Sequence, residues 1–127
     1  DVLRGGGGAD VLVGGAGADV MTGGAGRDRF DVDKACDSRM TVATRDVIID
    51  FTRGLDRVDL STIGANTSTS GNQAFTGFIR SSASFTAAGQ LKFHGGMLYG
   101  NTDADAAAEF AIALAGVSAL SGTDVIL

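Results

Sequence analysis

The sequence predicts an all-β protein in which a parallel β-roll over residues 1–31 continues into a β-sandwich-like part over residues 32–127. Two observations favour this division. Ten of the 20 glycines fall in the first 26 residues, where a nine-residue pattern repeats, whereas all seven phenylalanines and the single tyrosine follow residue 29. Beyond residue 31, short apolar segments alternate with turn residues, as they do in all-β domains. The length of 127 residues allows one domain or two small ones.

The nine-residue pattern is G-G-x-G-x-D-x-U-x, where U is an apolar residue. Three complete units follow one another without a gap over residues 5–13, 14–22 and 23–31. Residues 1–4 match the tail of a preceding unit and there is no initiator methionine, so we expect the chain to be a fragment of a longer protein.

Each unit is expected to form a six-residue turn and a three-residue strand, because glycine adopts positive φ at no steric cost. Eighteen residues then complete one coil. Asp10 therefore lies beside Asp28 on one edge of the roll. Asp1 lies beside Asp19 on the other edge. The apolar residues at the eighth repeat position are predicted to stack into a thin core: Leu3, Leu12, Met21 and Phe30.

Stacked turns of this composition require a cation. Ten fixed glycines cost on the order of 5–10 kcal/mol relative to alanine, and the stacked carboxylates repel one another. Ca²⁺ fits because it takes roughly six to eight oxygen ligands from carboxylates and carbonyls. Mg²⁺ fits worse because it dehydrates reluctantly, and Zn²⁺ lacks its usual ligands because the repeats contain no His or Cys.

The repeat resembles that of the RTX, or hemolysin-type, calcium-binding proteins. The resemblance implies that each ion lies between two stacked turns and is held by motif aspartates and by carbonyls of motif glycines. The residues implied by position are Gly5, Gly6, Gly8, Asp10, Gly14, Gly15, Gly17, Asp19, Gly23, Gly24, Gly26 and Asp28, with Asp1 on the first, uncapped coil.

Two other interpretations of the glycine-rich segment fit less well. A phosphate-binding loop needs a strand before it and a helix after it, and a nine-residue repeat leaves room for neither. A disordered glycine-rich linker conflicts with the apolar residue at every eighth repeat position, although disorder is the state expected without calcium.

The strands of the second half are predicted from the alternation of short apolar segments with turn residues. Residues 47–51 and 57–60 are predicted strands around a turn at 52–54, residues 61–72 a loop, and residues 73–79 and 90–93 further strands. Gly95 and Gly96 predict a hairpin that joins residues 90–93 to Leu98 and Tyr99. Residues 110–114 alternate large apolar residues with alanine, which favours a strand although the alanine content alone would favour a helix.

This half resembles the C-terminal domain of serralysin-type metalloproteases. The resemblance rests on Arg45–Phe51, Gly54–Ser61, Ala74–Thr76, Ala88–Leu91, Gly100–Asp103 and Asp124–Leu127. It implies export by a Gram-negative type I secretion machinery that recognises the C-terminus, with Asp124 and the three apolar residues after it as the signal. An ordinary last strand is compatible with the same residues.

The resemblance also suggests that Asp50 and Asp56 cap the last coil and complete a calcium site with the third turn, although exposed turn carboxylates are an equal alternative. Asp103 and Asp105 resemble the start of an EF-hand loop. Ala106 stands where that loop needs glycine and no Glu occupies its twelfth position, which weighs against calcium there.

Composition excludes several classes of function. The net charge of −5 argues against a nucleic-acid partner. No apolar run is long enough for a transmembrane segment. No H-E-x-x-H or G-x-S-x-G motif is present, His94 is the single histidine, and Cys36, the single cysteine, has no histidine near it in sequence. We therefore expect no catalytic activity in this chain.

The predicted function is that of a calcium-binding C-terminal module of a secreted, extracellular bacterial protein, which folds when calcium binds outside the cell and carries the export signal. Its predicted partners are calcium ions and the type I secretion machinery. Two alternatives remain at this point: a non-catalytic domain that contacts the catalytic unit of a secreted zinc metalloprotease, and an adhesion or surface-interaction module.

Overall fold

The computed structural model describes all 127 residues and contains eleven strands, no α-helix and one 3₁₀ turn, Gly122–Asp124. The all-β prediction is confirmed. No helical element has the length or the apolar surface needed to cross a bilayer. The strands in chain order are β1 (Val2–Gly7), β2 (Val11–Val13), β3 (Val20–Ala25), β4 (Arg29–Asp31), β5 (Val47–Ile48), β6 (Arg57–Asp59), β7 (Gly77–Phe78), β8 (Gln90–His94), β9 (Met97–Gly100), β10 (Phe110–Leu114) and β11 (Val125–Ile126).

The repeats form a parallel β-roll whose successive strands alternate between two sheets. A seven-stranded sheet has the order β1-β3-β5-β10-β9-β8-β7, and a four-stranded sheet has the order β11-β6-β4-β2. In the first sheet Leu3 lies opposite Met21, and in the second Leu12 lies opposite Phe30. Both pairs are offset by eighteen residues, which confirms the predicted coil length and the predicted stacking of the apolar residues.

Both sheets continue beyond the repeats. Met21 of β3 lies opposite Ile48 of β5, and β10 pairs in parallel with β5 on its other side. Phe30 of β4 lies opposite Val58 of β6, which pairs in turn with β11. One cluster of 17 buried apolar residues extends through both parts. Sheets and core therefore pass residue 31 without a break, and the division into two domains at that residue stays a prediction.

Four predicted strands differ from those observed by more than one residue. Strands β1 and β3 have six residues instead of three, because Gly6 pairs with Gly24 and the ladder continues into the turns. The strand predicted over residues 47–51 ends at Ile48, because the chain turns there and carries Asp50 onto the third repeat. The strand predicted over residues 73–79 is reduced to two residues around Gly77, whose φ of +130° interrupts the extended backbone.

The remaining elements agree with the sequence analysis. Strands β8 and β9 form an antiparallel hairpin with His94 opposite Met97, and Gly95 and Gly96 adopt φ of +58° and +78°, as a tight two-residue turn requires. Residues 110–114 form a strand and not a helix. Alternation therefore outweighs alanine propensity here, because Phe110 and Ile112 are fully buried in the shared core.

Candidate metal centre

The motif aspartates of all three repeats present a buried carboxylate oxygen that has no partner. The Oδ2 atoms of Asp10, Asp19 and Asp28 are inaccessible to solvent and accept no hydrogen bond. Asp19 and Asp28 are only 2% and 3% exposed as whole residues. Leaving one charged oxygen buried and unsatisfied costs more than the roughly 1–3 kcal/mol of a neutral group. Three such atoms at equivalent repeat positions could hold a cation.

The first glycine of each repeat makes room for this oxygen. A Cβ placed on Gly5 would stand 2.7 Å from Asp10 Oδ2, and one placed on Gly14 would stand 2.8 Å from Asp19 Oδ2. The same Cβ on Gly5 would stand 2.6 Å from the carbonyl oxygen of Gly23. A carboxylate oxygen of the first turn and a carbonyl oxygen of the third turn therefore converge on one place. Such a mixed oxygen set is the one that Ca²⁺ prefers.

Further carbonyl groups point from the first turn towards the third. The carbonyl oxygens of Gly6 and Gly8 lie so close to Gly24 and Gly26 that a Cβ on either of the latter would overlap them. Gly24 and Gly26 also have φ of +99° and +133°. In the third repeat, the second and fourth positions therefore need glycine for two reasons, the backbone conformation and the close approach of the facing turn.

The other carboxylate oxygen of Asp19 and of Asp28 is used to stack the coils. On one edge of the roll, Asp28 Oδ1 accepts the amide N–H of Asp10 at 3.0 Å, and Asp56 Oδ1 accepts that of Asp28 at 3.0 Å. We call this series of three the Asp28 ladder. Because Oδ1 is used within the ladder, Oδ2 is the atom left for an ion.

A second ladder runs along the opposite edge, and we call it the Asp19 ladder. Asp19 Oδ1 accepts a hydrogen bond from the backbone nitrogen of Asp1 at 2.6 Å, and Asp46 Oδ1 accepts the amide N–H of Asp19 at 3.0 Å. The side chain of Asp1 is itself 90% exposed, so only its backbone takes part. The second repeat turn, which contains Gly15 and Gly17, stacks on the segment leading to Asp46, and Gly17 N donates to the carbonyl of Asp37 at 3.3 Å.

The structure places Asp50 and Asp56 against the third repeat turn. The two oxygens of Asp50 accept the amide N–H groups of Gly23 and Gly24 at 2.9 and 2.8 Å. Asp56 is 3% exposed, and its Oδ2 accepts the amide N–H of Thr52 at 2.8 Å. Both aspartates thus fix the last turn through its backbone. That they also ligate an ion stays a prediction.

Asp46 was not among the residues that the sequence analysis selected. It is 1% exposed, and burial is the main cause that raises its pKa to about 7. The neighbouring carboxylates of Asp19 and Asp37 raise this pKa further, against the amide of Asp19 that lowers it. A position of this kind disfavours a bare charge and favours a proton or a cation. The tripeptide Asp46-Val47-Ile48 matches the repeat's D-x-U, and this was the signal that could have identified it.

Ser38 holds Asp46 in place. Its fully buried hydroxyl donates to the carbonyl of Ala111 at 2.7 Å and accepts the amide N–H of Asp46 at 2.7 Å. Ser38→Ala leaves both backbone groups unsatisfied, so we expect a loss of about 1–3 kcal/mol in the free energy of unfolding. Urea unfolding in saturating calcium measures it, with the exposed Ser118→Ala as the control. Equal stability of the two variants would contradict this role.

A separate acidic cluster lies in the loop before β10. Carboxylate oxygens of Asp103, Asp105 and Glu109 approach within 4.8 Å of one another. One oxygen of each already accepts an amide N–H of the same loop, for example that of Thr102 on Glu109 at 2.6 Å. Burial raises the pKa of Glu109, and the charges of the two aspartates raise it further. Sequence analysis missed Glu109 because it does not stand at the twelfth position of an EF-hand loop.

The stacked turns, the eighteen-residue register and the strands that extend both sheets match a known family over nearly the whole chain. The family described as "Peptidase M10 serralysin C terminal" matches residues 4–127. The chain belongs to the serralysin C-terminal family. No curated protein matches the sequence.

One solved structure supports the same fold, and a second is similar in sequence. The AlgE6R3 subunit of the Azotobacter vinelandii mannuronan C5-epimerase is 30% identical, with a TM-score of 0.60 over 99% of this chain and 67% of its own. The AlgE6R2 subunit of the same enzyme is 29% identical over 100% of this chain and 87% of its own, with a TM-score of 0.42. Together with the family match, the first of these confirms the RTX-type β-roll.

Members of the serralysin C-terminal family are non-catalytic parts of their peptidases, and this chain is not itself catalytic. Cys36 and His94 are both exposed, and they lie in a loop and at the end of a hairpin strand. Family membership and the repeat fold support a calcium-binding module of a secreted protein.

Proposed function

We propose that this chain is the C-terminal module of a bacterial protein exported by a type I secretion machinery, and that it folds when Ca²⁺ binds its repeats outside the cell. The observation that carries the proposal is the set of three unpartnered, buried Oδ2 atoms on Asp10, Asp19 and Asp28. A buried carboxylate oxygen without a partner costs desolvation free energy, and a cation bound beside it would offset that cost.

The donor set fits calcium. Between the first and third turns, Asp10 and Asp28 would supply carboxylate oxygens, and the carbonyl oxygen of Gly23 approaches the same place beside Gly5 as Asp10 Oδ2. Calcium bound there supplies the positive charge that holds the facing oxygens together. The second turn offers Asp19 Oδ2 on the opposite edge, where Asp46 closes the ladder.

The magnitudes are consistent with folding that depends on the ion. Calcium at about 100 times its Kd stabilises the folded state by about 2.7 kcal/mol per site, so two or three sites give about 5–8 kcal/mol. The conformational cost of ten ordered glycines is on the order of 5–10 kcal/mol. Extracellular modules bind calcium at roughly 10⁻⁴–10⁻³ M, far above the cytosolic concentration. The chain would therefore stay unfolded before export and fold after it.

We assign the export signal to Asp124–Leu127, the segment through which the secretion machinery would recognise this end of the chain. An Asp followed by three apolar residues is the pattern that the family resemblance implies for such a signal. This segment lies outside the repeats, so different residues of one module form the signal and the calcium sites.

The test is a calcium titration followed by circular dichroism, with magnesium as the control ion. We expect a cooperative gain of β signal with Ca²⁺ and little change with Mg²⁺, because Mg²⁺ prefers a strict octahedral set and retains its water. A chain that is fully folded in chelator and does not respond to calcium would overturn the proposal.

A further inference from the structure

The segment that carries the assigned export signal is built into the roll. Val125 of β11 lies opposite Val58 of β6, and Leu60 N donates to the carbonyl of Ile126 at 2.9 Å. Asp124 and Val125 are 2% and 5% exposed. In the folded protein, Val125 and Ile126 are therefore part of the four-stranded sheet, and Asp124 and Val125 are withdrawn from the surface, whereas Gly122 and Thr123 stay exposed.

The guanidinium of Arg53 holds this segment through Asp124. Asp124 Oδ2 accepts hydrogen bonds from Arg53 Nε at 3.0 Å and from the amide N–H of Ser121 at 2.9 Å. Arg53 is the ion-pair partner of Asp124, and its guanidinium also reaches the Ser121 hydroxyl at 3.5 Å. Burial alone would raise the pKa of Asp124, but the Ser121 amide and the Arg53 guanidinium hold it below its usual value. Asp124 is thus a buried, charged group that depends on Arg53.

Arg53 itself stands on a turn that is fixed at both ends to the third calcium-binding repeat. At one end, Asp50 accepts the amide N–H groups of Gly23 and Gly24. At the other end, Asp56 accepts the amide N–H of Asp28. The position of Arg53 is therefore set by the backbone of the turn from Gly23 to Asp28.

We propose that calcium binding at the third repeat turn controls the docking of residues 121–127, and that Arg53 is the residue that links the two. This inference rests on the proposed function. When calcium orders the third turn, the turn 50–56 is fixed, Arg53 pairs with Asp124, and Val125 and Ile126 pair with β6 while Asp124 and Val125 become buried. Without calcium the segment is released, so the chain presents its signal only in the state in which it is exported. By linkage, docking of the segment must in turn raise the calcium affinity of the third turn.

Hydrogen exchange during a calcium titration of the full chain tests this link. In the native sequence, protection of the amides at 125 and 126 and of Leu60 is expected to appear at the calcium concentration that protects the repeat turns. In Arg53→Ala at saturating calcium, the repeats are expected to stay protected while exchange in residues 121–127 rises by at least about tenfold. Arg57→Ala is the matched control, because Arg57 is exposed on the neighbouring strand and forms no ion pair.

A second variant keeps the test decisive if Arg53→Ala folds poorly. Asp124→Asn keeps an acceptor for the Ser121 amide and removes only the charge, so it is expected to release the segment as Arg53→Ala does. The double variant is expected to add little, because both changes break one contact. Native-like protection of residues 121–127 in both variants would overturn the link. Because the repeats would still order with calcium in that case, this failure is distinguishable from failure of the proposed function, in which no calcium-dependent folding occurs.

Discussion

Asp28→Ala is expected to raise the calcium concentration for half-maximal folding by at least about tenfold. Removing a group that only orients a metal ligand typically costs 10–100-fold in affinity, or about 1.4–2.7 kcal/mol, and loss of a charged ligand is expected to cost no less. Asp28 is the middle member of its ladder, so its side chain has two tasks. Oδ1 accepts the amide N–H of Asp10 at 3.0 Å, and Oδ2 is the buried atom without a partner.

Asp28→Asn separates these two tasks, because an amide oxygen still accepts the N–H of Asp10 but carries no charge. If the charge of Asp28 serves the ion, Asp28→Asn is expected to lose most of the calcium affinity that Asp28→Ala loses. Isothermal calorimetry and the circular dichroism titration give the affinity and the folding midpoint. Asp33→Ala is the matched control, since Asp33 is exposed and lies outside both ladders. Equal calcium midpoints for Asp28→Ala and Asp33→Ala would remove the site from this edge.

The sequence predicted well the features that recur at a fixed spacing along the chain. The nine-residue repeat places an apolar residue every eighteen residues on each sheet, so the pairing of Leu3 with Met21 and of Leu12 with Phe30 follows from spacing alone. The same period places the motif aspartates on two edges. Asp46 was missed because it lies 27 residues after Asp19, and not the eighteen residues of one coil, although the local pattern Asp46-Val47-Ile48 continues the repeat.

The features that escaped sequence analysis depend on contacts between distant residues. Strands β10 and β11 extend the two sheets that the repeats begin, yet neither carries a repeat that would predict its neighbour. The pair formed by Arg53 and Asp124 joins residues 71 positions apart. Strand ends were also misjudged where a carboxylate takes over backbone groups, as Asp50 does on Gly23 and Gly24, because side-chain capping is not visible in an alternation pattern.

Gly24→Ala is expected to abolish calcium-dependent folding, or to lower the free energy of unfolding by more than about 2 kcal/mol. A φ of +99° alone costs a non-glycine residue on the order of 1–3 kcal/mol. The added Cβ would also overlap the carbonyl oxygen of Gly6, which belongs to the facing turn and is backbone, so it has no rotamer with which to yield. Relief of this overlap must separate the first and third turns, and their separation moves apart the oxygens that converge between them.

Gly7→Ala provides the matched control in the same two strands. Nothing lies within 4 Å of a Cβ at Gly7, its φ is not positive, and the corresponding positions of the next two repeats are already Ala16 and Ala25. This variant is expected to be neutral or to gain about 0.4–1 kcal/mol, because alanine restricts the unfolded chain more than glycine does. Calcium titrations followed by urea unfolding compare the two variants directly. Equal behaviour of Gly24→Ala and Gly7→Ala would contradict a role of the repeat glycines in the close stacking of the turns. The spacing of the ladders alone would then have to account for calcium binding.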